Sequence, residues 1–300
     1  MKLATRDPGV PVLVIGDGVI DVADALKMAG YPGEAPPTVM AVMERWPELA
    51  GPLRGAAPVT DLSEVRLQAP VGDGQLIVCC GFNYAAHEAE VGGSSVGPTW
   101  FIKNANAVTA PGAPILVPPD NRETIDYEGE VAVVIGRDCH RVGVADALSY
   151  VGGYTLVNDV SARLLSPPSR SSDDIKRSVI DTHLGKQYPT FLPIGPVVVT
   201  ADEVTDPAEL TFTTSVNDAV VQRAFLRDMR LSVAELIGWL SGVFKFRPGD
   251  IICTGSPAGS GVSQIPPRFL RDGDVVTVAS PHIGSLSNEV LSNPELKERA

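Results

Sequence analysis

The chain has 300 residues, 44% of them apolar, which is enough for one large hydrophobic core plus a small one. A net charge of −12 excludes electrostatic nucleic-acid binding, because no Lys/Arg stripe is present to displace counterions from phosphates, and no apolar run approaches the roughly 18 residues of a membrane span. Small molecules are the expected partners, and on so acidic a chain a carboxylate substrate needs a cation in its pocket.

In chain order, residues 1–66 read as a small N-terminal α/β unit. PVLVIGDGVIDVADAL predicts strand, Asp-Gly turn, strand and helix start, and a second helical stretch runs from Thr38 to Trp46. Residues 67–300 form a second unit whose character changes at Gln75. QLIVCCGF, EVAVVIGR, YTLVND, IGPVVVT, LTFTTSVN, DIICTGS and DVVTVAS are short β-branched runs separated by Gly and Pro, so the fold class is α+β, mainly β. The clearest helix is SVAELIGWLSGVF, with Ser232 as N-cap and Val233, Leu236, Ile237 and Leu240 on one face. Residues 90–98 and 165–180 read as mobile loops, and the chain ends in a polar, loosely ordered tail from Ser287. Cys79, Cys80, Cys139 and Cys253 show no C-x-x-C spacing and read as small core residues. Together with the lack of a secretory h-region near the start, they make a cytoplasmic location the expectation.

The sharpest chemical signal is IDYEGEVAVVIG. Glu128 and Glu130 lie two apart at the start of a strand, so their side chains share a face, and Asp126 belongs to the same alternation. Carboxylates about 5 Å apart repel by roughly 3 kcal/mol per pair at an effective dielectric near 20, so a buried set needs protons or a cation. Asp159 closes the strand-like run GGYTLVNDVSAR and becomes a third ligand if the fold brings the two strand ends together. Three hard oxygen donors suit Mg²⁺ or Mn²⁺, with Ca²⁺ a possible occupant of a crystal, better than zinc. An E-x-E pair alone is equally what a solvated strand edge carries.

CGFNYAAHEAE, PTWFIK, DYEGEVAVVIGR, ALSYVGGYTLVNDVSAR, the later GK and PIGP, SVNDAVVQ, PGDIICTGSPAG and DGDVVTV follow one another in register. Over residues 75–285 this series resembles the catalytic domain of the fumarylacetoacetate hydrolase family, and MKLATRDPG with VIDVADAL resembles the small N-terminal domain of its bacterial members. The resemblance implies a catalytic domain of rolled β-strands around a metal pocket, a homodimer, and Glu128, Glu130 and Asp159 as the metal ligands. It further implies that His87 and Glu90, from N-Y-x-x-H-x-x-E, form a water-activating dyad. On a short helix residues three apart share a face, so Glu90 can orient the imidazole. Lys186 corresponds to the family's pocket lysine. Asn83, Tyr84, Phe101, Lys103, Arg163, Thr254 and Gly255 are the implied substrate contacts.

The chain departs from the family pattern in places. An acidic residue and a Gln that follow S-A-R in many relatives are absent from Ala162-Arg163-Leu164-Leu165-Ser166, Gln187-Tyr188-Pro189 replaces an F-D, and Ser256 stands for a second Thr. These changes imply a bulkier or more apolar acyl substituent. The implied activity is hydrolysis of a C–C bond in a 1,3-dicarbonyl or acylpyruvate-type oxo-acid through a metal-bound enolate. The same enolate serves oxaloacetate decarboxylation, 2-oxo-4-enoate hydration and keto–enol isomerisation. A catalytically silent small-acid binder is the non-enzyme alternative.

Overall fold

The computed structural model describes residues 1–71, 74–90, 98–119, 121–163 and 183–292. The stretches expected to be mobile at 90–98 and 165–180, apart from Glu90 and Pro98, fall outside these residues, as do Leu164, Leu165 and Ser166.

The strand Gly129–Ile135 is buried along its whole length, which is why its sequence is a continuous apolar run rather than an alternating one. Its side chains divide by parity. Val131, Val133 and Ile135 enter one core with Phe212, Ile237 and Val278, while Ala132 and Val134 enter another with Leu26, Leu49, Phe101 and Cys253. It pairs antiparallel with Val151–Asn158 on one side and Ile251–Cys253 on the other. From there the sheet continues through Leu192–Thr200 to Lys2–Arg6, Val10–Ile15, Gly18–Asp21 and Thr60–Asp61 in one direction. In the other it passes to Ile77–Gly81 and ends at Thr99–Lys103.

The N-terminal strands therefore extend the sheet that carries the acidic motif, through the pairs Lys2↔Val199 and Leu3↔Val198. A second, five-stranded sheet covers the core that contains Val131 and Val133, and its strands Thr211–Val216 and Val275–Ser280 alternate between buried and partly exposed residues, as a sheet with one solvated face does. The helices Val22–Met28, Val39–Glu44 and Trp46–Leu53 pack on the opposite core through Leu26, Met40, Met43, Leu49 and Leu53. This is the mainly β, α+β fold expected. Among the described residues no helix is long and apolar enough to cross a membrane.

Two expectations change. The helical stretch from Thr38 to Trp46 is two helices meeting at Arg45, with Pro47 in the first turn of the second, where its missing N–H costs nothing. The tail expected from Ser287 is strand as far as Ser292, because Val290 and Leu291 pair in parallel with Ile115 and Leu116 and so satisfy their backbone groups. All four cysteines are free and buried.

The helix Val233–Ser241 starts as its sequence predicts. The Ser232 hydroxyl accepts from the Glu235 N–H at 3.3 Å, and the Glu235 carboxylate accepts from the Ser232 N–H at 2.8 Å, a reciprocal capping box. Ser232→Ala is expected to lower unfolding free energy by about 1 kcal/mol, read as a shifted urea midpoint at unchanged slope.

Candidate metal centre

The acidic cluster is assembled by strand pairing. Gly129 lies opposite Asn158 in the antiparallel register, so Glu128, just before one strand, and Asp159, just after the other, lie side by side. The Asp159 N–H donates to the Glu128 carbonyl at 2.8 Å, and the Glu128 N–H to Asn158 Oδ1 at 2.9 Å. Glu130 follows the parity of Ala132 and Val134, and Asp159 that of Val157, so both carboxylates enter the core that also holds Cys79, Phe101 and Cys253. One oxygen from each of Glu128, Glu130 and Asp159 lies within 4.8 Å of the others, and all three residues are buried. Gly129 lets the pair form: a Cβ there would meet Thr214 Oγ1 of the second sheet at 2.0 Å.

Three cations surround the cluster. Lys186 Nζ donates to Glu128 Oε2 at 2.5 Å and to Asp159 Oδ2 at 2.7 Å, and lies 5.0 Å from the centre of the Phe101 ring. Lys103 Nζ donates to Asp159 and, at 3.0 Å, to the Val160 carbonyl. Arg163 bridges Glu128 and Asp126. The site splits the protonation preferences of its glutamates. Burial pushes Glu128 upward, but the charges of Lys186, Arg163 and His87 outweigh it and hold the carboxyl below its ordinary range. Glu130 moves the other way: burial raises it well above that range, and Cys253, Asp159 and Glu128 push it further.

A divalent cation fits this donor set. Among the described residues, the carboxyl groups of Glu128, Glu130, Asp159 and Asp126 outnumber the cations Lys103, Lys186 and Arg163 by one, and Glu130 has no cationic side-chain partner, only the Gly255 N–H at 2.8 Å. An all-carboxylate set offers hard oxygens and selects Mg²⁺, Mn²⁺ or Ca²⁺ over zinc.

Several residues expected at the substrate sit elsewhere in the network. Asp126 does not share the face of the glutamates. It lies in the two-residue strand Ile125–Asp126, accepts from the Gly261 and Val262 N–H groups at 2.6 and 3.2 Å, and holds Arg163. Arg163 spends its guanidinium on Asp126 and Glu128. Lys103 is fully buried against Asp159 rather than at a pocket rim; its alternation with Phe101 in TWFIK was the signal that both face the cluster. Asn83 gives both amide hydrogens to the Leu231 and Thr254 carbonyls and accepts from the Leu231 N–H, so its donors are taken up by the protein. The Thr254 hydroxyl donates to the Val131 carbonyl, and the Gly255 N–H to Glu130, so the loop braces a ligand instead of cradling a carboxylate. Tyr84 is a core residue whose hydroxyl has no hydrogen-bond partner. Gln222, not foreseen, accepts from the Gly129 N–H at 3.1 Å and donates to Ser256 at 2.8 Å; an isolated Gln in a strand gives no sequence signal for this role.

His87 is 7% exposed and lies on the short helix Ala85–Glu90, its ring stacked on Phe82 with centroids 6.1 Å apart. Its Nδ1 makes no hydrogen bond and lies 3.9 Å from Glu90 Oε2, while the Glu90 carboxylate accepts from the Gly259 N–H at 2.9 Å. The two are adjacent, with Glu90 tied to the 259 loop and the imidazole free to exchange a proton.

Residues 76–291 match the family described as fumarylacetoacetate (FAA) hydrolase, C-terminal. The chain is 36% identical over 281 residues to the mitochondrial oxaloacetate tautomerase FAHD2A of Bos taurus, covering 92% of this chain and 85% of the relative. It is 37% identical over 233 residues to oxaloacetate tautomerase YisK of Bacillus subtilis, covering 76% and 74%. Among solved structures, maleylpyruvate hydrolase from Sphingobium sp. SYK-6 in complex with manganese(II) and pyruvate aligns at 30% identity and a TM-score of 0.77, covering 98% of this chain and all of that one. The 5-carboxymethyl-2-hydroxymuconate delta-isomerase of Mycobacterium smegmatis aligns at 31% identity and a TM-score of 0.72, with 98% and 100% covered.

Glu130→Gln is expected to weaken Mn²⁺ binding by more than the roughly 10–100-fold that loss of an outer partner costs. The metal-free protein should keep its thermal midpoint or gain, because one buried carboxylate is gone. Calorimetric titration with Mn²⁺ and a thermal scan read the two effects, and unchanged affinity would remove Glu130 from the ligand set.

Proposed function

Because the chain belongs to the fumarylacetoacetate hydrolase family, we propose that it is a divalent-metal enzyme that interconverts the enol and keto forms of a small 2-oxo diacid of the oxaloacetate class. The observation that carries this reading is His87, a buried imidazole whose Nδ1 makes no hydrogen bond, on a segment that Asn83 ties to the Thr254–Gly255 loop bracing Glu130 of the three-carboxylate cluster. Tautomerisation is a proton transfer at the carbon beside the 2-oxo group, and a neutral imidazole exchanges protons near neutral pH. Two relatives of this chain named as oxaloacetate tautomerases support the substrate class.

Lys186 stays charged: burial lowers its proton affinity, but Asp159 and Glu128 together raise it above the ordinary lysine value. With two donors on those carboxylates, its third N–H is available to a substrate oxygen. Arg163 and Lys103 hold Glu128 and Asp159 in place through hydrogen bonds, and the Gly255 N–H does the same for Glu130. A divalent cation held by Glu128, Glu130 and Asp159 supplies Lewis acidity toward negative charge developing on a substrate oxygen.

C–C bond hydrolysis, the first expectation from sequence, is the second reading. It is favoured by Glu90 lying 3.9 Å from His87 Nδ1 and by the likeness to maleylpyruvate hydrolase. Closing that gap to hydrogen-bond length would let the pair activate water.

With enol-oxaloacetate and Mn²⁺, the expected outcome is accelerated loss of enol absorbance without pyruvate formation, abolished by a chelator and lowered about 10²–10⁴-fold in His87→Ala. Acid release from acylpyruvates in place of tautomerisation would move the assignment to hydrolysis. Full turnover by His87→Ala would end both.

We also propose a homodimer. The strand Thr99–Lys103 ends the large sheet among the described residues and leaves Trp100 and Ile102 40% and 45% exposed, the Trp100 ring meeting Phe244 edge-on at 5.1 Å. Apolar side chains on an unpaired edge suit a second copy. Light scattering should give twice the chain mass, and Trp100→Glu should reduce it to one; a monomeric parent protein removes the proposal.

A further inference from the structure

We propose that Arg230 is a positioning residue for His87, which rests on reading His87 as the proton-transfer group. The helix that carries His87, Ala85–Glu90, has six residues, far too few to hold its own conformation. It is entered through Phe82, whose φ of 58° lies in the left-handed region that a bulky residue keeps only where its surroundings impose it.

The segment 229–231 imposes it. Arg230 donates its backbone N–H to the Asn83 carbonyl at 2.7 Å, Leu231 exchanges hydrogen bonds with the Asn83 amide, and Met229 bridges to Tyr84. The Arg230 guanidinium then reaches past this contact to pair with Glu88, whose side chain is 5% exposed while that of Arg230 is 34% exposed. One residue thus grips the 83–88 segment at both ends, by its backbone before the helix and by its side chain on it.

The grip bears on the chemistry through helix geometry. Residues 87 and 88 are successive, about 100° apart around the axis, so anchoring Glu88 sets the direction in which His87 points. A rotation of about 20° would carry an imidazole some 6 Å from the axis through roughly 2 Å, and a misplacement of about 1 Å can cost 10²-fold in rate. The same segment is registered to the metal ligands. Asn83 Nδ2 donates to the Thr254 carbonyl at 2.9 Å, the Thr254 hydroxyl to Val131 at 2.8 Å, and the neighbouring Gly255 N–H to Glu130. Arg230 therefore holds His87 in a frame that also contains Glu130, without touching substrate or metal.

The test uses the full chain with Mn²⁺ and enol-oxaloacetate, or an acylpyruvate if that is the substrate turned over. Arg230→Gln, Arg230→Lys, Glu88→Gln and His87→Ala are compared in kcat, KM and Mn²⁺ affinity, at a temperature where each is fully folded. The expected result is a kcat at least about tenfold lower in Arg230→Gln and Glu88→Gln, with KM and Mn²⁺ affinity within about twofold of the parent and part of the rate restored in Arg230→Lys. If Arg230→Gln does not fold, Glu88→Gln, which removes the charge and keeps the shape, carries the same comparison. A kcat within about twofold of the parent, or a fall in kcat matched by an equal fall in Mn²⁺ affinity, overturns the positioning role while His87→Ala remains inactive. Full turnover by His87→Ala, or no turnover by the parent, overturns the functional reading and this proposal with it.

Discussion

Carboxylates buried in the middle of a sheet core dominate the design of this protein. Glu128, Glu130, Asp159 and Asp126 are each less than 7% exposed, where an unpaired charge would cost several kcal/mol. Lys103, Lys186 and Arg163 pair with Asp159, Glu128 and Asp126, while burial and its acidic neighbours push Glu130 toward the protonated form. The same electrostatic demand that makes the core costly gathers hard oxygen donors of the kind that suit a divalent cation.

Satisfying the demand draws in distant parts of the chain. The glutamates come from one strand end and Asp159 from the end of its antiparallel partner, Lys103 from the sheet edge, Lys186 from beyond the 164–182 stretch, and the Gly255 N–H from the loop after Ile251–Cys253. Glycine appears where a side chain would break the arrangement. Gly129 admits Thr214, and Gly255, at φ +100°, lies where a Cβ would press within 2.9 Å of Asn83. Residues with family-implied substrate roles therefore act mostly on one another: Asn83 on Thr254, Thr254 on Val131, Arg163 on Glu128. Among the described residues, the proposed substrate contacts narrow to His87, Lys186 and the carboxylate cluster.

That arrangement explains how closely related proteins can be named for different reactions. The cluster stabilises negative charge on an oxygen beside the metal position, which tautomerisation and C–C cleavage share. On the proposed reading, what separates them is whether the imidazole moves a substrate proton or activates water, and His87 Nδ1 lies 3.9 Å from Glu90.

Much of the fold was legible in order along the chain. Alternation and apolar runs gave the strands because a pleated ribbon repeats every two residues, and Ser232 marked a helix start because an N-cap bond is local. The tail from Ser287 was misread because its polar residues Ser287–Glu289 pair with Val275–Thr277 and its end, Val290–Ser292, pairs with Ile115–Val117 more than 160 residues away, a pairing that leaves no mark in composition. For the site, the spacing of Glu128 and Glu130 determined a shared face, and the run of motifs determined the family. Only the tertiary structure decided that Asp126 serves Arg163, that Lys103 is an interior counter-ion and that Arg230 reaches the His87 helix. Ion pairs and side-chain caps across long separations depend on which strand ends the fold brings together, and a linear pattern carries only what neighbours two to four residues apart impose on each other.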